Sequence, residues 1–328
     1  MGAGRVVGSA GSGEELLTYL GRWQPDVVTL DLDMPGMGGL ATLDRLMVLR
    51  PTPVIILSTH SGKGAPLTIE ALHRGAVDFI DKQRYSLVDF EALRNVLLEK
   101  IFQVTGTAPS EADEDGIDAD DQIPEPDPES VVIPGAYDLI VIGASTGGPP
   151  TIQRILQDLG ESVTVPIVVV QHMPVGFTQA FAERLNAYLP LQVREASSEE
   201  RLMPDTVYMA AAGIHLRIRR YDAELCTELD PDPPDVPHIP SINVLFESSA
   251  RAVGRRAIGV LLTGMGRDGA EGLAALKAQG AYTIVQNRES CIVFGMPRAA
   301  LALNAVTEVA PPETIGPRLL ELVSTPEK

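Results

Sequence analysis

Short apolar runs alternate with amphipathic segments along most of this chain. Leu139–Ile142, Ile167–Val170 and Ile258–Leu262 are the clearest of these runs. They are far too short to cross a bilayer. They are also too continuously apolar to leave one face wet, so they suit strands buried on both sides. Strands of that kind alternating with helices imply parallel sheets covered by the helices between them.

The pattern falls into two stretches. In the first, Arg5–Ala10, Asp26–Leu32, Pro53–Ser58 and Val77–Ile80 read as strands. Helices are expected at Glu14–Leu20, Leu40–Leu49, Leu67–Arg74 and Val88–Phe102. In the second, strands are expected at Asp138–Gly143, Pro166–Gln171, Gln192–Ala196, Ala257–Leu262 and Tyr282–Gln286. Helices fall at Thr151–Leu159, Thr178–Ala187, Ile242–Val253 and Ala270–Gln279. Thr206–Ala211, His215–Tyr221 and Glu224–Glu228 read as short antiparallel strands, followed by a proline-rich loop, Asp230–Pro240.

Between the stretches the composition changes. Ten acidic residues fall from Glu111 to Glu129 with no Lys or Arg among them, interleaved with Pro124, Pro126 and Pro128. Such a segment has too little apolar surface to build a core and reads as a solvated tether. It accounts for much of the net charge of −18. That charge argues against nucleic acid as a partner, because phosphates demand Lys and Arg. The boundaries expected are a first domain over 1–103, a linker over 104–134 and a second domain over 135–328, in line with two domains for 328 residues. Cys226 and Cys291 make no disulfide or metal pattern, and the N-terminus has no signal-peptide layout. A cytoplasmic setting without membrane insertion is the expectation.

In a doubly wound sheet, ligands bind beyond the carboxyl ends of the strands. Three residues with catalytic chemistry stand there. Ser145 follows the strand ending at Gly143, His172 follows the one ending at Gln171, and Asp268 follows the one ending at Leu262. One strand–helix–strand unit separates Ser145 from His172, which favours adjacent parallel strands. A serine hydroxyl needs a base, a neutral imidazole can be that base, and a carboxylate can hold the other ring nitrogen. Backbone N–H groups of the turn Gly264–Gly266 could receive an oxyanion. Each residue also has a plainer role open to it. Ser145 could cap a helix or belong to a phosphate-binding turn. His172 could be a satisfied strand-end histidine. Asp268 could be the N-cap of the helix that follows it.

A second reading competes at the same place. Gly264-Met-Gly266-Arg-Asp-Gly269 has the spacing of a dinucleotide fingerprint, with Glu289 twenty residues beyond. The motif comes late in the domain, and Asp268 would sit where a pyrophosphate must lie. An oxidoreductase and a non-enzymatic binding module therefore both remain open beside the hydrolase on the residues alone.

The segments GASTGG (143–148), QHMP (171–174), FTQAFAERLN (177–186), PSINVLFESSA (240–250), LLTGMGRDGAEGL (261–273) and CIVFGMPRAA (291–300) resemble the chemotaxis protein-glutamate methylesterase family. The resemblance runs from about Tyr137 to the C-terminus. It implies a doubly wound, mainly parallel α/β sheet that hydrolyses γ-glutamyl methyl esters, and deamidates glutamines, on methyl-accepting chemoreceptors. It carries a catalytic triad onto Ser145, His172 and Asp268, and oxyanion or substrate roles onto Met265 and Thr146. No cofactor is implied for the catalysis. Three positions depart from the family pattern: Asn243 replaces an Asp, and Pro237 and Ile239 flank His238 in place of Gly and Arg.

Residues 5–103 are similar to a flavodoxin-like response-regulator receiver domain, which that family carries at its N-terminus. PDVVTLDLDMPGMGGL (25–40) places the phosphoacceptor on Asp31, and Ser58 and Lys82 match the receiver's switch residues. The resemblance implies a chemotaxis histidine kinase as phosphodonor and a receiver that covers the catalytic cleft until phosphorylated. The first strand of a receiver and the acidic pair that follows it have no counterpart ahead of Arg5. Either the start lies upstream of Met1 or the receiver is degenerate, and an incomplete N-terminus is the expectation. With only Asp31 and Asp33 left, a Mg²⁺ site for phosphorylation is not expected to be complete.

Overall fold

A computed structural model describes residues 4–58, 64–84, 90–106, 135–160, 163–231 and 236–324. The chain divides into two compact units, Met1–Asp121 and Gln122–Lys328. The acidic segment, and with it most of the linker expected over 104–134, lies outside the described residues.

In the first unit the order is α1 (Gly13–Trp23), β1 (Val28–Asp31), α2 (Gly38–Leu49), β2 (Val54–Ser58), α3 (Gly64–His73), β3 (Asp78–Asp81) and α4 (Phe90–Val104). The strands form a parallel sheet in the order β1-β2-β3, with Val28 opposite Val54 and Ile55 opposite Asp78. Leu30, Val54, Ile55 and Ile56 from the sheet are buried together with Leu43, Leu46, Ile69 and Leu72 from the helices. Helix α1 starts where its sequence dictates. Ser12 Oγ accepts the Glu15 N–H at 3.3 Å, and the Glu15 carboxylate returns to the Gly11 N–H at 2.7 Å. This is close to a capping box and satisfies orphan donors of the first turn.

The strand expected at Arg5–Ala10 does not form. An extended segment becomes a strand only when its N–H and C=O groups find a ladder. Here Gly8 lies against the Trp23 indole, so closely that a Cβ would fall 2.2 Å from it. Val6 remains 85% exposed.

The second unit runs β4 (Leu139–Ala144), α5 (Gly148–Asp158), β5 (Ile167–Gln171), α6 (Phe177–Tyr188), β6 (Gln192–Glu195), β7 (Thr206–Met209), β8 (His215–Tyr221), β9 (Glu224–Asp230), α7 (Ile242–Val253), β10 (Ala257–Leu261), α8 (Ala270–Ala278), β11 (Tyr282–Gln286), α9 (Met296–Ala302), β12 (Glu308–Ala310) and α10 (Pro312–Val323). Its main sheet has the order β12-β11-β10-β4-β5-β7-β6 and is parallel throughout. Strands β8 and β9 form a separate antiparallel hairpin, as expected.

Thr206–Ala211 is corrected. Its strand, β7, is parallel and inserts between β5 and β6. All four residues of β7 are buried, the signature of a strand covered on both faces rather than of a half-wet hairpin.

Strand β4 sits at the centre. Leu139 and Val141 pack with Ile242, Leu245 and Phe246 of α7 and with Leu273 and Leu276 of α8. Ile140 and Ile142 alternate to the other face and are equally buried. Burying such side chains stabilises by roughly 1.5–3 kcal/mol each. A charge at Val141 would break this layer, and with it the platform that ends at Ser145.

Candidate active site

Strands β10, β4 and β5 are neighbours, so the loops leaving their carboxyl ends share one edge. The ladder holds up to that edge. The Leu262 N–H bonds the Gly143 carbonyl at 2.9 Å, the His172 N–H bonds the Ala144 carbonyl at 3.0 Å, and the Ser145 N–H bonds the Thr263 carbonyl at 3.0 Å. Ser145 is partly exposed there. It does not cap α5, whose N-cap is Gly147.

His172 and Asp268 meet. His172 Nε2 lies 2.9 Å from Asp268 Oδ2, with both side chains about nine-tenths buried. His172 Nδ1 is buried and has no hydrogen-bond partner.

Asp268 is not the N-cap of α8; Gly269 is. Its carboxylate instead sits on the N-terminus of α7. Oδ2 accepts the Ile242 N–H at 2.8 Å, and Oδ1 accepts the Asn243 N–H at 3.0 Å and the Ser241 hydroxyl at 2.8 Å. A helix N-terminus concentrates unpaired donors and positive potential, which suits an anion. Burial alone would raise the Asp268 pKa. The hydrogen bond and charge of His172, with the two backbone donors, outweigh it and hold the group at about 2.

Asn243 supports this arrangement from below. Its Oδ1 accepts the Gly269 N–H at 2.9 Å and the Gly272 N–H at 2.8 Å, and its Nδ2 donates to Glu271 at 3.0 Å. One residue therefore ties the N-terminus of α7 to that of α8. The departure from the family's Asp thus falls in the support of the carboxylate rather than in a peripheral loop. The same bonds weaken the dinucleotide reading, since Asn243 already holds two of the α8 donors that a pyrophosphate would need.

Two histidines passed over by sequence reasoning adjoin the site. His238 stacks on His172 with ring centroids 4.3 Å apart and planes 22° apart. Burial against its neighbour, then the like charge of His172, push His238 below the usual histidine range. Only the return of the proline-rich loop brings it there, and sequence spacing carries no trace of that. His215 is fully buried, and its Nδ1 accepts the Ser241 N–H at 3.0 Å. Burial, then Arg217, lower its pKa as well.

The turn of Met265 lies directly against Ser145. A Cβ on Gly264 would fall 2.7 Å from Ser145 Cβ, so glycine alone permits the approach. Thr146 is buried, and its carbonyl accepts the Thr263 hydroxyl at 3.0 Å.

In the first unit, Asp31 ends β1 and Lys82 follows β3. Lys82 Nζ sits 2.6 Å from Asp31 Oδ2, and Asp31 Oδ1 accepts the Asp33 N–H at 3.1 Å. Ser58, buried at the end of β2, hydrogen-bonds Thr68. Among the described residues there is no group of three or more His, Cys, Asp or Glu that could hold a metal. No described helix is long and apolar enough to cross a membrane.

Fold and site together define a class: a doubly wound α/β enzyme with a hydroxyl, an imidazole and a carboxylate at adjoining strand ends, preceded by a receiver-type unit. Comparison with known proteins is specific. Residues 140–319 match the CheB methylesterase family and residues 2–97 the response regulator receiver domain. The protein-glutamate methylesterase/protein-glutamine glutaminase of Bordetella bronchiseptica is 43% identical over 301 residues, covering 90% of this chain and 83% of that one. The corresponding protein of Pectobacterium atrosepticum is 40% identical over 316 residues, covering 92% and 85%. The crystal structure of the Thermotoga maritima CheB methylesterase catalytic domain is 35% identical, with a TM-score of 0.55, and covers 57% of this chain and 98% of that domain. The chain belongs to the protein-glutamate methylesterase/protein-glutamine glutaminase family of hydrolases, with a receiver domain at its N-terminal end.

Proposed function

We propose that Ser145, His172 and Asp268 hydrolyse γ-glutamyl methyl esters, and deamidate glutamines, on the cytoplasmic helices of chemoreceptors. The observation that carries this reading is the His172–Asp268 hydrogen bond at 2.9 Å beside the strand end that bears Ser145.

The chemistry follows from the atoms. Asp268 fixes the tautomer with a proton on Nε2, which leaves the Nδ1 lone pair to act as base. Nδ1 takes the Ser145 hydroxyl proton as Oγ attacks the γ-carbonyl carbon. The resulting oxyanion is received by backbone N–H groups at Met265 and Thr146. Collapse breaks the bond to methoxide, which leaves as methanol with the proton from Nδ1. Water then attacks the acyl-enzyme, again losing its proton to Nδ1, and the glutamate carboxylate departs as Ser145 recovers its hydrogen. A glutamine side chain follows the same path and releases ammonia. No step needs a cofactor.

The receiver unit is read as the regulator, with Asp31 as phosphoacceptor, Ser58 and Lys82 as its switch residues, and a chemotaxis histidine kinase as phosphodonor. Mg²⁺ prefers octahedral ligation by several oxygens, and among the described residues no group of three or more His, Cys, Asp or Glu could hold a metal. Asp31 and its described neighbours therefore do not fit the ion, and a weak response to phosphodonors is proposed for this chain. A cytoplasmic location is proposed together with that substrate and phosphodonor. Hydroxylamine trapping tests the acyl-enzyme. The reading expects receptor γ-glutamyl hydroxamate to accumulate during turnover, and methanol release with no hydroxamate would count against it.

A further inference from the structure

We propose that Gln171 is a positioning residue for this reaction, acting through Ser145 and His172. The proposal rests on the roles given to those two residues above. Gln171 ends β5, is 2% exposed, and reaches none of the proposed reacting atoms in the hydrogen bonds it makes. Its side-chain Nε2 donates to the Ser145 carbonyl at 2.9 Å and to the His172 carbonyl at 3.1 Å. Two carbonyl oxygens flank the group, so only the NH₂ end of the amide can face them.

The Ser145 carbonyl also accepts the Gly148 N–H at 2.8 Å. The backbone of the nucleophile is thereby pinned from two sides, by the first turn of α5 and by the last residue of β5. The backbone of the base is pinned by the same amide. One side chain thus fixes the spacing between the two residues that must exchange a proton. The other end of the amide is the cost. Gln171 Oε1 is buried with no partner, and a Cβ on Gly148 would lie 2.0 Å from it. A methionine would fill the same space with no orphaned acceptor. The chain keeps the amide where it holds the frame of the two catalytic residues.

The test compares Gln171→Met and Gln171→Glu with the parent, all as full chains. It reads kcat and KM for methanol release from methylated receptor, the rate of Ser145 labelling by a fluorophosphonate, and the folded fraction. Gln171→Met is expected to lower kcat by about 10- to 100-fold with KM within about twofold, and labelling should slow in parallel, because sub-ångström misplacement of reacting groups costs rate. Gln171→Glu places a carboxylate against two carbonyl oxygens, and only its protonated form can donate. Its kcat relative to the parent should therefore rise as the pH falls. A folded Gln171→Met enzyme with kcat within twofold of the parent overturns the proposal. If that variant does not fold, Gln171→Glu decides, and a relative kcat that is flat with pH overturns it. A parent that releases no methanol, or that is not labelled on Ser145, would instead defeat the reading of the site itself.

Discussion

His172 offers Asp268 its Nε2 rather than its Nδ1, at 2.9 Å, and its Nδ1 is buried without a partner. The more familiar triad has the carboxylate on Nδ1 and the nucleophile on Nε2. The reversal follows from where the carboxylate is held. Asp268 is fixed to the N-terminus of α7 by the N–H groups of Ile242 and Asn243 and by the Ser241 hydroxyl, so it meets the far end of the ring. Nitrogen-15 NMR of histidine-labelled protein should find the Nε2–H tautomer wherever the His172 ring carries one proton. A single proton on Nδ1 would contradict the assignment.

The same hydrogen bonds make a prediction about acid stability. The folded Asp268 pKa of about 2 lies below the ordinary 3.8. A depressed carboxylate contributes stability above the unfolded value and loses it as the pH falls through the folded one. The contribution is on the order of 2 kcal/mol, at about 1.4 kcal/mol per pKa unit. Urea unfolding, read from the amide signals of β4 and β5, should show the parent losing its advantage over Asp268→Asn between about pH 4 and pH 2. An advantage constant across that range would show that Asp268 is not held as described.

Asn243 should matter more than a loop residue would. Replacing it by Ala strands the Gly269 and Gly272 N–H groups, and a buried unsatisfied donor costs about 1–3 kcal/mol. Asn243→Asp keeps both acceptor bonds but loses the bond to Glu271 and adds a charge beside it. The Ala variant should lose both stability and kcat, and the Asp variant should retain more of each. Equal behaviour of the two variants, by melting and by methanol release, would remove the argument.

The site was legible where a continuous apolar run stops. Leu139–Ile142 and Ile167–Val170 announce parallel strands, and Ser145 and His172 follow their ends at once. What was not legible depends on returns through space. Asp268 reads as the carboxylate partner of His172 from its place after β10, but that the N-terminus of α7 holds it is not written in its spacing. His238 reaches His172 only because its loop folds back. Val207 and Tyr208 lie on a strand that reads as half a hairpin until its full burial is seen. Ile315, Leu319 and Leu322 carry a helical period that α10 buries. Arg5–Ala10 shows the converse, since a segment with strand propensity that joins no ladder makes no strand.

For the receiver unit, incubation with a small-molecule phosphodonor and Mg²⁺ followed by intact mass measurement should leave most of the chain unmodified. Asp31 is paired with Lys82 at 2.6 Å, and among the described residues no group of three or more His, Cys, Asp or Glu could hold the metal. Stoichiometric phosphorylation of Asp31 would show that the metal is completed in some other way.

The central claim is that Ser145 is the nucleophile of a glutamyl-ester hydrolase. Methanol release from methylated chemoreceptor, measured side by side for the full-length parent and for Ser145→Ala, tests it most directly. The parent should release methanol at a catalytic rate and Ser145→Ala should be slower by about 10⁵-fold or more, with an unchanged melting transition. Equal release by the two proteins would contradict the account.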